Sequence, residues 1–416
     1  MQKKKIVVIG AGPAGLMAAI RAAHLGQEVI LIEKNSILGN KLLLSGKGRC
    51  NLTNACELDL FLKRFSKSGQ FLRDAFKKFF NQDLIDFFQD RGLELKVERQ
   101  LRVFPVTDSS SSVVDILKQE LIKLNVSIIF KSRLKDLLIK DDVIKGFYLD
   151  NGEFIACDRL ILATGGISYS FTGSTGEGLQ IAKKAGHEIV SLRPGLVPLE
   201  IKEDYIKYLE GVALKNIALK FISDKKELVS EVGELMFTSF GISGPLVLTL
   251  SGKVADWIAQ KKNVYVEIDL KPGLTYEQLN GRLLREFAAN SRKGMKNVLK
   301  NLLPLRLVDL FIKLTKIDPF KKANQITQEE RNNLVSLLKA WRMNVSGTRP
   351  IEEGMVTQGG ISLKGINPRT MESRLIKGLY FCGEMIDVDA DTGGFNLQAA
   401  FSTGYLAGES AAQSEG

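Results

Sequence analysis

The chain has 416 residues, which sets an expectation of one large domain or two to three smaller ones. Hydrophobic residues make up 44%, enough for sizeable buried cores, so a disordered chain is excluded. A net charge of +11 favours polyanionic partners, while two histidines (His24, His187) and four scattered cysteines (Cys50, Cys56, Cys157, Cys382) argue against a metal site or a Ser-His-Asp triad.

The N-terminus, MQKKKIVVIGAGPAGLMAAI, sets a lysine cluster before an apolar run, as a secretory signal would. Gly10, Gly12, Pro13 and Gly15 interrupt the run, and the pattern continues to Glu33 without a cleavage site, so no signal peptide is expected. No stretch is apolar for long enough to span a bilayer. The expectation is a cytoplasmic protein with free thiols and no membrane partner.

KIVVI (5–9) reads as a buried parallel strand, GAGPAG (10–15) opens a helix to about Leu25, and QEVILIEK follows as a second strand ending in Glu33. Each piece has a mechanical reason. Gly10 permits the tight turn, Gly12 lets the backbone approach a pyrophosphate, and Gly15 lets helix and strand pack closely. The helix start supplies free N–H groups and a positive dipole end for phosphate. Glu33 can accept hydrogen bonds from both ribose hydroxyls of an adenosine, and its charge disfavours a 2′-phosphate. Lys34, next to it, is assigned to the same site. Strand, glycine turn, helix and an acid about twenty residues on together specify a dinucleotide site.

Residues 39–54, GNKLLLSGKGRCNLTN, depart from an ordinary βαβ unit. Residues 57–91 carry helical periodicity, LRVFPV is a short strand, and 111–124 read as a crossover helix. Residues 126–158 alternate as strands of a small antiparallel layer, bent by Asp150-Asn151-Gly152. RLILATGG (159–166) is an apolar strand, and a helix over 176–185 ends at Gly186. Beyond Arg193-Pro194-Gly195, short alternating runs to about Leu270 suggest a β-barrel-like insertion. Residues 275–341 turn helical, and RPIEEGMVTQGGISL returns to the first module. GLYFCGEMIDVDADTGGFNLQ (378–398) is a strand ending in Gly383-Glu384, then a Gly-rich turn into a final helix whose start, Gly394 to Ala399, offers N–H groups.

RLILATGG and the 378–398 segment resemble the two-dinucleotide-binding flavoproteins, in which such segments recross the sheet and complete an FAD site. Thr164, Gly165, Gly383, Glu384, Gly394, Phe395 and Asn396 lie on them. There is no second GxGxxG, so NAD(P)H, if it is the reductant, binds transiently over the flavin. GNKLLLSGKGRCNLTN, ATGG, TGSTGEG (172–178), LMFTSFGISGP (235–245) and TMESRLIKGLYFCGE…TGGFNLQAA (370–400) together resemble one bacterial NAD(P)/FAD-dependent oxidoreductase family. It includes a flavoprotein of bile-acid dehydroxylation and a large-subunit rRNA dihydrouridine synthase.

The resemblance implies an α/β, doubly wound FAD-binding domain interrupted by a β-barrel-like part and a small helical part. The boundaries expected are 1–190 with 356–416, 191–274 with 342–355, and 275–341. It also implies non-covalent FAD contacted by Ala14, Glu33, Lys41, Leu42, Gly48, Leu134, Glu384 and Leu397. The departure at 39–54 then has a reason: the chain wraps the flavin, with Gly46 and Gly48 allowing close approach. Lys41 and Arg49 can meet phosphate, ribityl or substrate, and Cys50-Asn51 lie near the ring system.

Cys50 is the candidate proton donor, since a free thiol is mostly protonated at neutral pH; its alternative is a small packing residue. Arg49 would lower that thiol's pKa or bind an enolate oxygen. Asn51 either bonds the flavin or caps the next turn. Cys382 and His187 read as structural, and Met236, Phe237 and Phe240 as core or substrate wall.

Residues 275–349 hold fifteen Lys/Arg against six acids, a net +9 that makes up most of the whole charge. This is either a solvated helical face or a surface for ribosomal RNA. The function expected is an FAD-dependent, NAD(P)H-using reductase of a conjugated C=C bond, with an rRNA uridine as substrate. The rivals are a small-molecule enone or quinone reductase and a non-catalytic, flavin-containing ribosome-binding protein.

Overall fold

The computed structural model describes residues 3–66 and 68–414. Met1, Gln2, Lys67, Glu415 and Gly416, which fall within the terminal and helical expectations above, lie outside it. Residues up to Gly195 and from Ile351 onward form one compact unit, and Leu196–Pro350 form another.

The first unit is built on five parallel strands in the order Leu379–Phe381, Arg159–Leu162, Lys5–Ile9, Glu28–Glu33, Ser127–Phe130. Ile6 and Val8 enter one apolar core while Val7 and Ile9 enter the other. A strand buried on both faces has no polar side, which is why KIVVI is an unbroken apolar run. Helices Pro13–His24, Ser110–Lys123 and Phe395–Gln413 cover one face through Leu16, Val113 and Phe401. The other face carries helix Glu177–Lys184 and an antiparallel layer of Leu134–Lys140, Val143–Leu149 and Phe154–Ala156. Ile189–Gly195 pairs antiparallel with Val356–Ile361.

Ser127–Phe130 differs from expectation. It belongs to the parallel sheet, not to the antiparallel layer. It leaves the crossover helix Ser110–Lys123, and such a crossover returns the chain in the direction of the strand before it. As an edge strand it has exposed ends, Ser127 and Phe130, so it looks like its half-exposed neighbours in sequence.

Helices Pro13–His24 and Phe395–Gln413 touch backbone to backbone. A Cβ on Gly404 would lie 2.1 Å from the Ala14 carbonyl oxygen, and one on Gly408 would lie 2.3 Å from that of Ala18.

In the second unit six antiparallel strands close into a barrel. The ring runs Ala213–Ser223, Gly233–Phe237, Gly241–Ser243, Leu199–Ile201, Trp341–Thr348, Val264–Asp269 and back to the first. Strands Val264–Asp269 and Trp341–Thr348 alternate buried and outward residues, the period-2 signature of a one-sided core. Helix Pro245–Ala259, inside the stretch expected to be all strands, was not expected. Its LVLTL run suits a strand or a buried helix equally, and Pro245 in the first turn decides the helix start.

Helices Tyr276–Ala289, Met295–Leu299, Leu305–Thr315 and Gln328–Lys339 follow. Thr275 and Thr327 open two of them with capping boxes to Gln278 and Glu330. Their apolar faces (Leu283, Phe287, Phe311, Leu338) join the same core as Phe237, Val266 and Met343 of the barrel. Trp341 is buried at the join, its ring 5.5 Å from Phe237 and 5.3 Å from Phe311. Among the described residues no helix is long and apolar enough to cross a membrane.

The backbone contact between the two long helices makes a direct prediction. Gly408→Val must push the C-terminal helix off Ala18 and should destabilise the first unit by about 1–3 kcal/mol, the usual range for overpacking. Chemical denaturation followed by circular dichroism measures it, and a wild-type midpoint would show that the two helices can part without loss.

Candidate functional site

The carboxyl ends of the parallel strands form a crest, the place where open α/β sheets hold ligands. Gly10 sits at φ +99°, and a Cβ there would lie 2.6 Å from the Ala163 carbonyl oxygen. A Cβ on Gly15 would lie 1.8 Å from the Gly10 oxygen. Both glycines are therefore fixed by packing. Gly12 differs: nothing lies within 4 Å of where its Cβ would stand. It precedes helix Pro13–His24, whose start has no side-chain cap, so the first N–H groups are left for another partner. Ala14 is buried below, under Gly383 and Gly404.

Glu33 is buried at the end of its strand. Its Oε2 accepts the Ala11 N–H and its Oε1 the Asn35 N–H, both at 2.8 Å. A carboxylate has about four acceptor positions, so it retains capacity for two hydroxyl donors. Open space beside Gly12, uncapped helix N–H groups and a part-used buried carboxylate fit the pyrophosphate and ribose of FAD. Lys34 is turned instead to the 172–178 loop, with Nζ 2.6 Å from Thr175 Oγ1 and 3.2 Å from Glu177. Thr164 follows the Arg159–Leu162 strand, its N–H and Oγ1 against Met385 Sδ, and Gly165 adopts φ +76°. Gly383, at φ +70°, donates its N–H to Thr403 Oγ1.

Four segments distant in sequence meet at Glu384. Its Oε2 accepts Lys41 Nζ at 2.6 Å, and its Oε1 accepts Ser168 Oγ at 2.9 Å and the Thr357 N–H at 2.6 Å. Lys41 also donates to Ser168 Oγ at 2.6 Å. Thr357 Oγ1 receives the N–H groups of Ile167 and Ser168 at 2.8 and 3.1 Å. Lys41 and Glu384 were expected at the site; Ser168 and Thr357 were not. The second glycine of ATGG was their one trace, since a Cβ on Gly166 would lie 2.2 Å from Thr357 Oγ1.

The 39–54 segment is a short helix, Asn40–Leu44, then a chain of left-handed residues before strand Thr53–Asn54. Gly46, Lys47, Gly48 and Cys50 all have φ between 57° and 83°. For Lys47 and Cys50 this conformation is strained, a feature concentrated at functional sites. Gly48 has nothing within 4 Å of an added Cβ, so its surroundings are open. Leu42 is buried in the helix-side core, and Leu134 packs with Ile9 and Ile32 on the opposite side.

Arg49 is held by Glu98 at 2.5 Å and Asp108 at 2.5 and 2.8 Å, and its guanidinium lies over the Phe104 ring. The hydrogen bond from Arg49 holds the Glu98 carboxyl below its usual range, and those from Lys96 and Arg49 do the same for Asp108. This arginine is thus committed to two carboxylates. Cys50 is fully buried beside Leu42 and Leu52, and burial pushes its thiol up to about 12 against a slight lowering by Ser45.

Asn51 caps the C-terminal helix: its Oδ1 accepts the Gly394 N–H at 3.0 Å and its Nδ2 donates to the Thr53 oxygen. Asn54 donates to the Gly393 oxygen, and Thr53 Oγ1 to Gln398 Oε1. Asn396 ties the same turn together through Ala390, and Phe395 is buried edge-on to Phe61. Leu397, half-buried, packs against the helix-side core. The segment is therefore bolted to the start of helix Phe395–Gln413 by Asn51, Thr53 and Asn54. His187 is buried, with Nε2 3.0 Å from Ser373 Oγ and its ring against Phe381.

The thiols make the local prediction. In the folded chain Cys50 ionises only near 12, against 9.0 when exposed, so its contribution to stability is complete below about 9 and lost as pH rises towards 12. At pH 8 an alkylating reagent should modify half-buried Cys56 and spare Cys50 and Cys382 until the chain unfolds. Mass mapping reads the result. Native-state labelling of Cys50 would show an accessible thiol and restore it as an acid.

A ribosomal RNA dihydrouridine synthase of Escherichia coli is 33% identical over 97% of both chains. A 3-dehydro-bile acid delta(4,6)-reductase of Clostridium scindens is 30% identical over 98% of this chain and 99% of its own. The crystal structure of a 3-ketosteroid delta1-dehydrogenase from Sterolibacterium denitrificans superposes with a TM-score of 0.54 at 12% identity, covering 100% of both chains, which is a likeness of fold. The model of the HI0933-like protein Rossmann domain matches residues 4–410, and the chain belongs to that family.

Proposed function

We propose that the chain is an FAD-dependent reductase of a conjugated C=C bond, fed by NAD(P)H in the cytoplasm, and that it converts a uridine of large-subunit ribosomal RNA to dihydrouridine. The coarser part, an FAD-dependent oxidoreductase, is carried by the crest: open Gly12, uncapped helix N–H groups and Glu33 in a chain of this family. The finer part is supported by the E. coli relative, an rRNA dihydrouridine synthase matched along nearly its whole length. The net +9 over residues 275–349 supports it too, since excess positive charge binds RNA backbone with release of counterions. The C. scindens relative keeps a small-molecule enone reductase as the second reading.

FAD, when bound and reduced, supplies a hydride equivalent to the electron-poor carbon of such a bond. The chain's own residues prepare the place. Gly12 and the N–H groups after it hold pyrophosphate, and Glu33 holds the ribose of the adenosine. Ala14, Leu42, Leu134 and Leu397 would support the cofactor from the apolar cores in which they pack. Lys41, fixed by Ser168 and Glu384, brings a cation to the crest, and Gly48 leaves room for close approach. Gly394 and Asn51 anchor the wrapping segment. Cys50 is assigned to packing rather than proton donation, because it has no exposed surface and so high a pKa makes a poor acid near neutrality. Arg49, engaged by Glu98 and Asp108, is assigned to holding the segment's outer side.

The purified protein should be yellow and release FAD, not FMN, on denaturation. Glu33→Ala should weaken FAD binding by about 1.5–3 kcal/mol, the scale of hydrogen bonds to a charged group, as measured by flavin fluorescence titration. Undiminished affinity would move the adenosine elsewhere. For the substrate, mass mapping of rRNA from a strain lacking the gene should show one dihydrouridine lost and regained on complementation. An unchanged dihydrouridine map would overturn the RNA reading and leave the enone reductase.

A further inference from the structure

We infer that Phe320 is a stacking platform for an unpaired base, set in a basic knuckle that docks single-stranded RNA. This surface rests on the RNA reading above and deepens it.

Phe320 is 84% exposed, the most exposed of the chain's large apolar side chains among the described residues. What sets this ring apart is its support and its charged neighbours. The ring is not at the end of a loose loop. Residues 291–296 and 318–324 are zipped by backbone hydrogen bonds: Met295 N–H to Lys321 O at 3.0 Å, Lys296 N–H to Pro319 O at 3.1 Å, Ala323 N–H to Lys293 O at 3.0 Å, and Asn324 N–H to Ser291 O at 3.2 Å. Asp318 Oδ1 accepts the Phe320 N–H at 2.9 Å and fixes the turn. Gly294 lies against the backbone of Phe320, where a Cβ would come within 3.3 Å of its Cα. The two loops thus form one stiff knuckle with the ring at its tip.

The knuckle carries more basic than acidic charge, its one acid being Asp318, which is engaged by the Phe320 N–H. Lys321 is spent on Glu330 at 2.7 Å, and Lys296 on Asp309 at 2.6 Å. Arg292, Lys293 and Lys322 are exposed and make no ion pair among the described residues. An exposed aromatic beside unpaired cations on a rigid support is the arrangement that binds single strands: cations track phosphates while the ring stacks on a base of any identity. A duplex hides its base faces, so the ring adds nothing there. A reduction of uridine also requires an unstacked base, and a surface that prefers unpaired RNA suits such a substrate.

The test uses the full-length protein, a fluorescent oligouridylate and an RNA duplex of equal length, read by anisotropy. Phe320→Ala should weaken oligouridylate binding about 5- to 100-fold without changing its salt slope. Phe320→Tyr, which keeps a ring, should restore it. Lys293→Glu with Lys322→Glu should flatten the slope by about 0.7 for each phosphate that is no longer neutralised. In Phe320→Trp, indole emission should be quenched by oligouridylate and not by the duplex. Equal binding by wild type and Phe320→Ala, with unquenched emission in Phe320→Trp, would overturn the platform even if the enzyme forms dihydrouridine. Quenching and weakened binding without any dihydrouridine formed would uphold the platform and overturn the proposed reaction alone.

Discussion

The first unit depends on backbone meeting backbone where no side chain can stand. Helix Pro13–His24 is held between Gly10 on one side, through Gly15, and helix Phe395–Gln413 on the other, through Gly404 and Gly408. At these three positions an added Cβ would lie 1.8 to 2.3 Å from a carbonyl oxygen. The close approach aims the helix start at the crest and keeps the space beside Gly12 open. It also brings the start of the C-terminal helix to the 39–54 segment, so the last secondary element of the chain helps shape the site begun by the first.

On that frame a single carboxylate gathers the rest. Glu384 takes Lys41, Ser168 and the Thr357 backbone together, so four segments distant in sequence meet there, its own included. A partly buried ion pair contributes little net stability once its desolvation is counted, but breaking one partner leaves a charge uncompensated. Its value is in positioning: the lysine cannot swing away without stranding Glu384. Thr357 adds a second brace by accepting two successive N–H groups of the 166–168 turn.

The second unit follows a different logic. Barrel and helices share one core around Trp341, so the helical part has its apolar faces inward and its charge outward. Some of that charge is neutralised locally, as in Lys296–Asp309, Lys321–Glu330 and Lys339–Asp269. Arg292, Lys293 and Lys322 make no ion pair among the described residues, and the knuckle of Phe320 is where they and exposed aromatic surface coincide.

The sequence alone determined what depends on neighbours in the chain. KIVVI, GAGPAG and Glu33 specify strand, turn, helix and acid, because the conformational freedom of glycine and the period of apolar residues act locally. The alternating strands of the barrel and the capped helices after Thr275 and Thr327 were legible for the same reason. Where the local pattern was ambiguous, tertiary context decided: Ser127–Phe130 took its place by crossover direction, and Pro245–Ala259 became a helix. The site followed the same division. Gly10, Gly12, Gly15 and Glu33 could be named from spacing; packing for Cys50 and capping for Asn51 stood as alternatives that the fold favours, while the commitment of Arg49 to Glu98 and Asp108 and the convergence on Glu384 could not be named. Arg49, Asn51 and Glu384 meet partners tens to hundreds of positions away, and a hydrogen bond between such residues leaves no periodicity; only the packed fold brings donor and acceptor within reach.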